Sequence, residues 1–243
     1  MRRRFIADTW DTASKTAALT GDQAVHLARV LRAETGQIYD IVAGGFLHRA
    51  EIVRVMNDEV AFTLHEELEA SAALPIHLLL AVFKFDHFEW GIEKATELGV
   101  GSITPVLARR TEKHLAQAAT KRVERWRRIA LEASKQSRRT DVPAIAEPVA
   151  LKIVLERENA ETRILLSETE QTTTLSAGLQ GWSRGGEIAL AIGPEGGWAP
   201  EEMALFTSHA WTHVTLGPRI LRAETAAIAA IAMLSAQFQG RAG

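Results

Sequence analysis

The residues best suited to chemistry in this chain are gathered in two glycine turns near its C-terminal end. The first, Gly193-Pro194-Glu195-Gly196-Gly197, follows the apolar run Ile188-Ala189-Leu190-Ala191-Ile192, which reads as a buried strand of a parallel sheet. Without a Cβ, Gly193, Gly196 and Gly197 can take positive φ and let a flat ligand lie on the main chain, while Pro194 stiffens the turn. The second, Gly217-Pro218-Arg219-Ile220-Leu221-Arg222, follows the strand-like His213-Val214-Thr215-Leu216 and passes through Ala223-Glu224-Thr225-Ala226 into a helix that runs to about Phe238. Neither turn carries the Lys-Ser/Thr of a phosphate-binding loop or the three-glycine spacing of a dinucleotide fold. Either turn alone could be a tight corner with no ligand. Two such turns at the ends of successive strands point instead to a site at the carboxyl edge of a sheet, where open α/β folds bind ligands.

The elements that must position these turns follow from periodicity. From about residue 74 onward, strand-like and helix-like segments alternate. Strands are expected over residues 76–83, 103–107, 163–167 and 188–192. Helices are expected over 86–98, 115–138, 151–158 and 172–182. That alternation predicts an α/β domain with a parallel sheet covered by helices on both faces. The first 73 residues read differently: a short strand at 4–6, a helix over 21–32, then period-two runs at 38–42, 46–55 and 60–64 separated by Gly44-Gly45 and Asn57-Asp58 turns. Such a module suggests a compact β-barrel. The domains are therefore set at 1–73 and 74–243, with the small-residue stretch Leu68-Glu69-Ala70-Ser71-Ala72-Ala73-Leu74-Pro75 between them.

Composition bounds the chemistry. With 47% hydrophobic residues a packed core is well supplied, and no run reaches the roughly 20 apolar residues of a membrane span. No apolar stretch follows Met1-Arg2-Arg3-Arg4-Phe5 to make a signal peptide, so a cytoplasmic location is expected. Cysteine is absent, which excludes disulfides, cysteine-held metal and any thiolate mechanism, including the cysteine addition usual in pyrimidine C5 methylation. The net charge is −2, yet residues 109–139 hold eleven Lys and Arg against three Glu, a local excess that suits a polyanion.

The segments Ile192-Gly193-Pro194-Glu195-Gly196-Gly197 and Leu216-Gly217-Pro218-Arg219-Ile220-Leu221-Arg222-Ala223-Glu224-Thr225-Ala226 resemble the signature of the RsmE family of SPOUT-class methyltransferases. The resemblance extends to Lys84 and Asp86 with Glu93-Lys94-Ala95-Thr96-Glu97-Leu98-Gly99-Val100, to Arg110, to Glu132-Ala133-Ser134-Lys135-Gln136-Ser137-Arg138 with Pro143, and to His26-Leu27-Ala28-Arg29-Val30-Leu31-Arg32. Two positions depart from the family pattern: Lys135 stands where glutamate is usual, and Ala199 where a capping hydroxyl is common before Pro200. The resemblance implies methylation of N3 of a uridine in small-subunit (16S) ribosomal RNA with S-adenosylmethionine as cofactor. It also implies a C-terminal trefoil knot, a PUA-like RNA-binding barrel in front of it, a homodimer, and no metal or membrane.

The same resemblance implies the site residues. Ser167 and Glu168, the turn from Ile192 and Gly193 through Glu195, Gly196 and Gly197, and Leu216, Gly217, Ile220, Leu221 and Thr225 would line the cofactor pocket. Uracil N3 carries a proton at neutral pH, so a base or an oxyanion stabiliser should assist. Arg222 could stabilise the oxyanion; Glu224 or Glu195 could accept the proton, or either could instead support the helix that follows. Arg4, Arg32, Arg110, Arg138 and Arg139 are the candidates for RNA contacts, whereas His26 reads as structural. The small-residue helix from Ala223 is apolar on nearly every face, which suits a second copy packed against it. Two other classes stay open: an RNA-binding protein without catalysis, and an α/β enzyme acting on a small nucleotide.

Overall fold

The computed structural model describes residues 4–183 and 185–239; residues 1–3, most of the basic start read above for a leader, lie outside that set with 184 and 240–243. Contacts between Cα atoms divide the chain into two units, residues 4–72 with 134–141 and residues 73–133 with 142–239.

In the first unit, β1 (Arg4–Ile6), β2 (Thr9–Asp11) and β3 (Thr16–Thr20) precede a short helix α1 (Gly21–Val25). β4 (Ile38–Ala43), β5 (Phe46–Val55) and β6 (Glu59–Leu68) follow. The six strands form one sheet in the order β1-β4-β5-β6-β3-β2, parallel at β1–β4 and antiparallel elsewhere. Its end strands are joined by only Ala7 and Asp8. Their N–H groups donate to Val42 O on one side and Ala18 O on the other, so the sheet curls onto itself. Alternate residues point inward and build a core of Leu19, Leu27, Ile41, Ile52, Val60 and Phe62. The helix expected over 21–32 changes its winding instead: His26–Val30 is a π-turn, and Arg32 ends it in the left-handed region at φ 50°. The wider turn shifts the apolar face, leaving Leu27 buried but Val30 66% exposed.

The second unit runs β7 (Leu74–Ala81), α2 (Phe85–Glu97), β8 (Val100–Leu107), α3 (Lys113–Ala119), α4 (Val123–Ser137, of which residues 134–137 count with the first unit), β9 (Ala144–Ile145), β10 (Val149–Ala150), α5 (Leu151–Arg157), β11 (Thr162–Leu166), α6 (Leu175–Gly178), β12 (Ile188–Ile192), α7 (Pro200–Ser208), β13 (Thr212–Val214) and α8 (Ala223–Gln239). Every ladder is parallel, in the order β10-β8-β7-β12-β11-β13, with β9 also on β8. The sheet is buried on both faces. Leu78, Leu80, Leu190 and Ile192 meet Phe88, Ile92, Trp126 and Ile231 on one side; Leu79, Ala81, Ala189 and Ala191 meet Leu155, Trp198, Phe206 and Trp211 on the other. Each large side chain so buried contributes about 2 kcal/mol.

Two expected helices are interrupted. The stretch 115–138 is α3 and α4 separated by a 3-10 turn, Thr120–Arg122, and Trp126 faces inward as expected. The stretch 172–182 keeps only α6, because Gly178 packs so closely on β13 that a Cβ there would lie 2.6 Å from Val214 Cγ1. α7 starts without a capping hydroxyl; the Glu202 N–H donates to Ala199 O at 3.0 Å instead, and the Glu202 carboxylate receives the N–H groups of Ala199 and Arg109, each at 2.8 Å.

Candidate active site

Because β11, β12 and β13 are parallel, their carboxyl ends open on one edge of the sheet. The two glycine turns follow β12 and β13, which are not neighbours: β11 lies between them, so the Ser167-Glu168 turn sits between the glycine turns. These three turns, with Lys84, His87 and the start of α8, enclose a cleft of about 1000 Å³. That is the upper end of the range for small-ligand sites.

Each turn is fixed by local bonds. Gly197 N donates to Pro194 O at 2.8 Å and closes the first, with Gly197 at φ 70°. Of its three glycines, all able to take positive φ, only Gly197 does so. A Cβ on Gly197 would lie 2.8 Å from Glu168 Oε1, and one on Gly193 3.0 Å from Trp198 Nε1, so both turns' side chains rest on bare main chain. In the second glycine turn Gly217 has φ 118°, and its N–H donates to Thr215 Oγ1. The Ser167 turn is tied to β13 by Ser167 N donating to Val214 O. Beyond it Glu170 accepts the N–H groups of Thr173 and Thr172 and the Thr172 hydroxyl, which hold its carboxyl down to about 2. Lys84 Nζ approaches Glu195 Oε2 to 3.9 Å, both on the cleft wall.

Of the expected cofactor residues, Ser167, Glu168, Ile192, Gly193, Glu195, Gly197, Leu216, Gly217, Ile220 and Leu221 line this cleft, and so does Arg222. Gly196 and Thr225 do not. Gly196 is exposed, its carbonyl accepting from Arg110 Nη1, and Thr225 is exposed on α8. Glu224 is not on the cleft wall either: it is 2% exposed in the first turn of α8, and its Oε1 accepts from His87 Nδ1 at 2.9 Å. His87 does line the cleft. It was not singled out in the sequence, where nothing local links it to a residue 137 positions away. Trp198 was missed as well; it is 7% exposed and its indole N–H has no hydrogen-bond partner among the described residues.

The arginines divide. Arg32 and Arg138 are exposed, and Arg4 donates to the Arg138 carbonyl. Arg139 is otherwise: it is 9% exposed and grips the Asp141 carboxylate through two nitrogens, so little of this RNA-contact candidate is open to a partner. Among the described residues no group of three or more His, Asp or Glu could hold a metal ion, and no helix is long and apolar enough to cross a membrane.

A doubly covered parallel sheet with three turns around a cleft at its carboxyl edge defines an α/β enzyme, and residues 70–235 match the model of the RNA methyltransferase domain. Ribosomal RNA small subunit methyltransferase E of Bacillus subtilis is 32% identical over 98% of each chain. That of Synechocystis is 34% identical, covering 98% of this chain and 79% of the other. The crystal structure of the Neisseria gonorrhoeae enzyme of the same name, bound to S-adenosyl methionine, superposes with a TM-score of 0.81 at 28% identity over 96% of this chain and 97% of that one. The chain belongs to the ribosomal RNA small subunit methyltransferase E family.

Proposed function

We propose that the protein transfers a methyl group from S-adenosylmethionine to N3 of a uridine in 16S ribosomal RNA, acting in the cytoplasm as a homodimer on RNA within the small ribosomal subunit. The observation that carries this reading is the three-turn cleft. A Cβ at Gly193 or Gly197 would press on Trp198 or Glu168, both on the cleft wall, so the two glycines let those side chains lie flat against the main chain. Those features fit a flat, polar-edged group such as adenosine. Bound there, S-adenosylmethionine supplies a methyl group on a sulfonium, a donor that needs no activation by the protein.

The chain's own part is to hold, orient and deprotonate. Ser167, Glu168, Glu195 and the main chain of Gly193, Gly197 and Gly217 would fix the cofactor, with Ile192, Leu216, Ile220 and Leu221 as apolar walls. Arg222, on the cleft wall, would neutralise charge developing on the uracil carbonyl oxygens. The curled sheet of the first unit is read as a PUA-like domain over residues 1–73 that grips RNA through Arg4, Arg32 and Arg138. Residues 74–243 are read as the SPOUT domain with its C-terminal knot. A second copy would cover the outward face of α8, where Ala232, Met233 and Ala236 are exposed although Ala227, Ala230, Ile231 and Leu234 are buried.

Incubation of small subunits lacking the modification with protein and labelled S-adenosylmethionine, followed by nucleoside mass spectrometry, tests the reading. N3-methyluridine is expected. Label in any other nucleoside, or none with RNA and cofactor both bound, overturns it.

A further inference from the structure

The cleft needs a group that can take the ring-nitrogen proton, and the carboxylates nearest the motif do not offer one simply. Glu224 is buried and off the wall, while Glu195 lies 3.9 Å from Lys84 Nζ and is read above as a cofactor contact. Glu224 reaches the cleft only through an imidazole. Its Oε1 accepts the Nδ1 hydrogen of His87 at 2.9 Å. With that hydrogen on Nδ1, the lone pair is on Nε2. Nε2 has no hydrogen bond to the described residues: the carboxylate oxygen beside it, Asp86 Oδ2, is 3.8 Å away, too far for one. The side chain of His87 is 32% exposed and that of Glu224 3%, an open ring on a closed carboxylate. Both residues sit in the first turns of their helices, α2 and α8, whose N-terminal ends favour the Glu224 charge.

We propose that His87 is the catalytic base of the methyl transfer and Glu224 the residue that positions it, an inference that rests on the methyltransferase reading above. Nε2 takes the proton from uracil N3 as the new N3–carbon bond forms and the carbon–sulfur bond breaks. The products are a neutral thioether, a neutral N3-methyl base and an imidazolium, which returns its proton to water. Glu224 keeps the neutral ring in the tautomer that can accept and steadies the imidazolium that follows. The other charged groups on the cleft wall are Lys84, Glu168, Glu170, Glu195, Arg219 and Arg222, and Asp86 in α2 lies beside the ring.

The test is single-turnover methylation by H87Q and E224Q, with S-adenosylmethionine and RNA affinities measured in parallel. H87Q should slow methyl transfer about 100- to 1000-fold while both affinities stay within twofold. Its rate should also climb with pH as hydroxide takes over, where wild type levels off. E224Q offers Nδ1 an amide hydrogen and turns the ring over, so Nε2 gains the proton. In the unliganded protein, the nitrogen-15 shifts of His87 should report that exchange, and the rate should fall about tenfold or more. If H87Q transfers methyl at the wild-type rate, or loses activity only through weakened cofactor binding, the proposal fails. It fails too if the wild-type rate falls as pH rises, which marks an imidazolium donor, or if the ring in wild type carries its hydrogen on Nε2. A wild type that makes no N3-methyluridine refutes the methyltransferase reading instead.

Discussion

Replacing Gly197 by alanine should injure the cofactor site in two separable ways. The main chain there has φ 70°, a left-handed conformation that costs an L-residue about 1–2 kcal/mol. For a chain of this length that is roughly 2–8 °C in Tm. The new methyl group would also lie 2.8 Å from Glu168 Oε1. A carboxylate tip on a flexible side chain yields more easily than backbone, so Glu168 moves and the turn stays. If Glu168 bonds the cofactor, losing that charge-assisted hydrogen bond costs about 1.5–3 kcal/mol, which weakens binding about 10- to 100-fold. Gly196 is the control within the same turn. It does not have positive φ, and a Cβ there meets only Arg110 Cδ at 3.5 Å, an ordinary contact. Gly196→Ala should leave Tm and affinity almost unchanged. Calorimetric titration with S-adenosylmethionine, beside thermal melts, reads both effects. Equal behaviour of the two variants, or greater damage from Gly196→Ala, refutes the reasoning.

The arginines at the end of α4 should part company. Arg139→Ala breaks a buried pair and should cost about 3 kcal/mol, the low end for such pairs because Asp141 keeps 32% of its side chain exposed. Arg138→Glu should leave the urea midpoint in place yet weaken ribosomal RNA binding and flatten its salt dependence; an unchanged salt slope counts against an RNA contact. At the opposite edge of the sheet, burial would raise the Glu158 carboxyl. Its hydrogen bonds from His77 Nδ1 at 2.6 Å and from Ala160 N outweigh that and hold it below the usual range. A depressed carboxyl stabilises above its unfolded value of 4.5 and loses that contribution as pH falls through its folded value. Glu158→Gln should therefore melt lower than wild type at pH 7, with the gap closing below about pH 4; a gap constant with pH would assign the loss to packing. Met233→Arg on the exposed face of α8 should turn a dimer into a monomer in sedimentation, and an unchanged sedimentation coefficient places any interface elsewhere.

What the sequence disclosed and what it withheld divide by the range of the interaction. The buried strand 188–192, the amphipathic helix 86–98 and the glycine turns are set by neighbours a few residues apart, and the linear pattern shows them. The insertion of β11 between β12 and β13 is not local, since spacing says that strands alternate with helices and nothing of their order in the sheet. The same limit explains Gly196 and Gly197. Both are compatible with positive φ, and the turn bond from Gly197 N to Pro194 O suits either choice, so the linear pattern does not make it. Arg139 looked like one cation in a basic run until Asp141, two residues on, folded back to bury it.

Glu224 carries the argument furthest. A carboxylate beside a cofactor motif is a fair choice for a proton acceptor when composition and position are all that is known. Whether it can act depends on whether substrate reaches it, and that is decided by α2 packing against α8. The packing buries the carboxylate and sets a histidine between it and the cleft. A buried carboxylate gains by this arrangement: it keeps a hydrogen-bonded partner in a low-dielectric setting, where an unpaired charge is costly. The part of the pair that faces solvent is the ring, whose Nε2 lone pair is open to a substrate that the carboxylate behind it cannot reach.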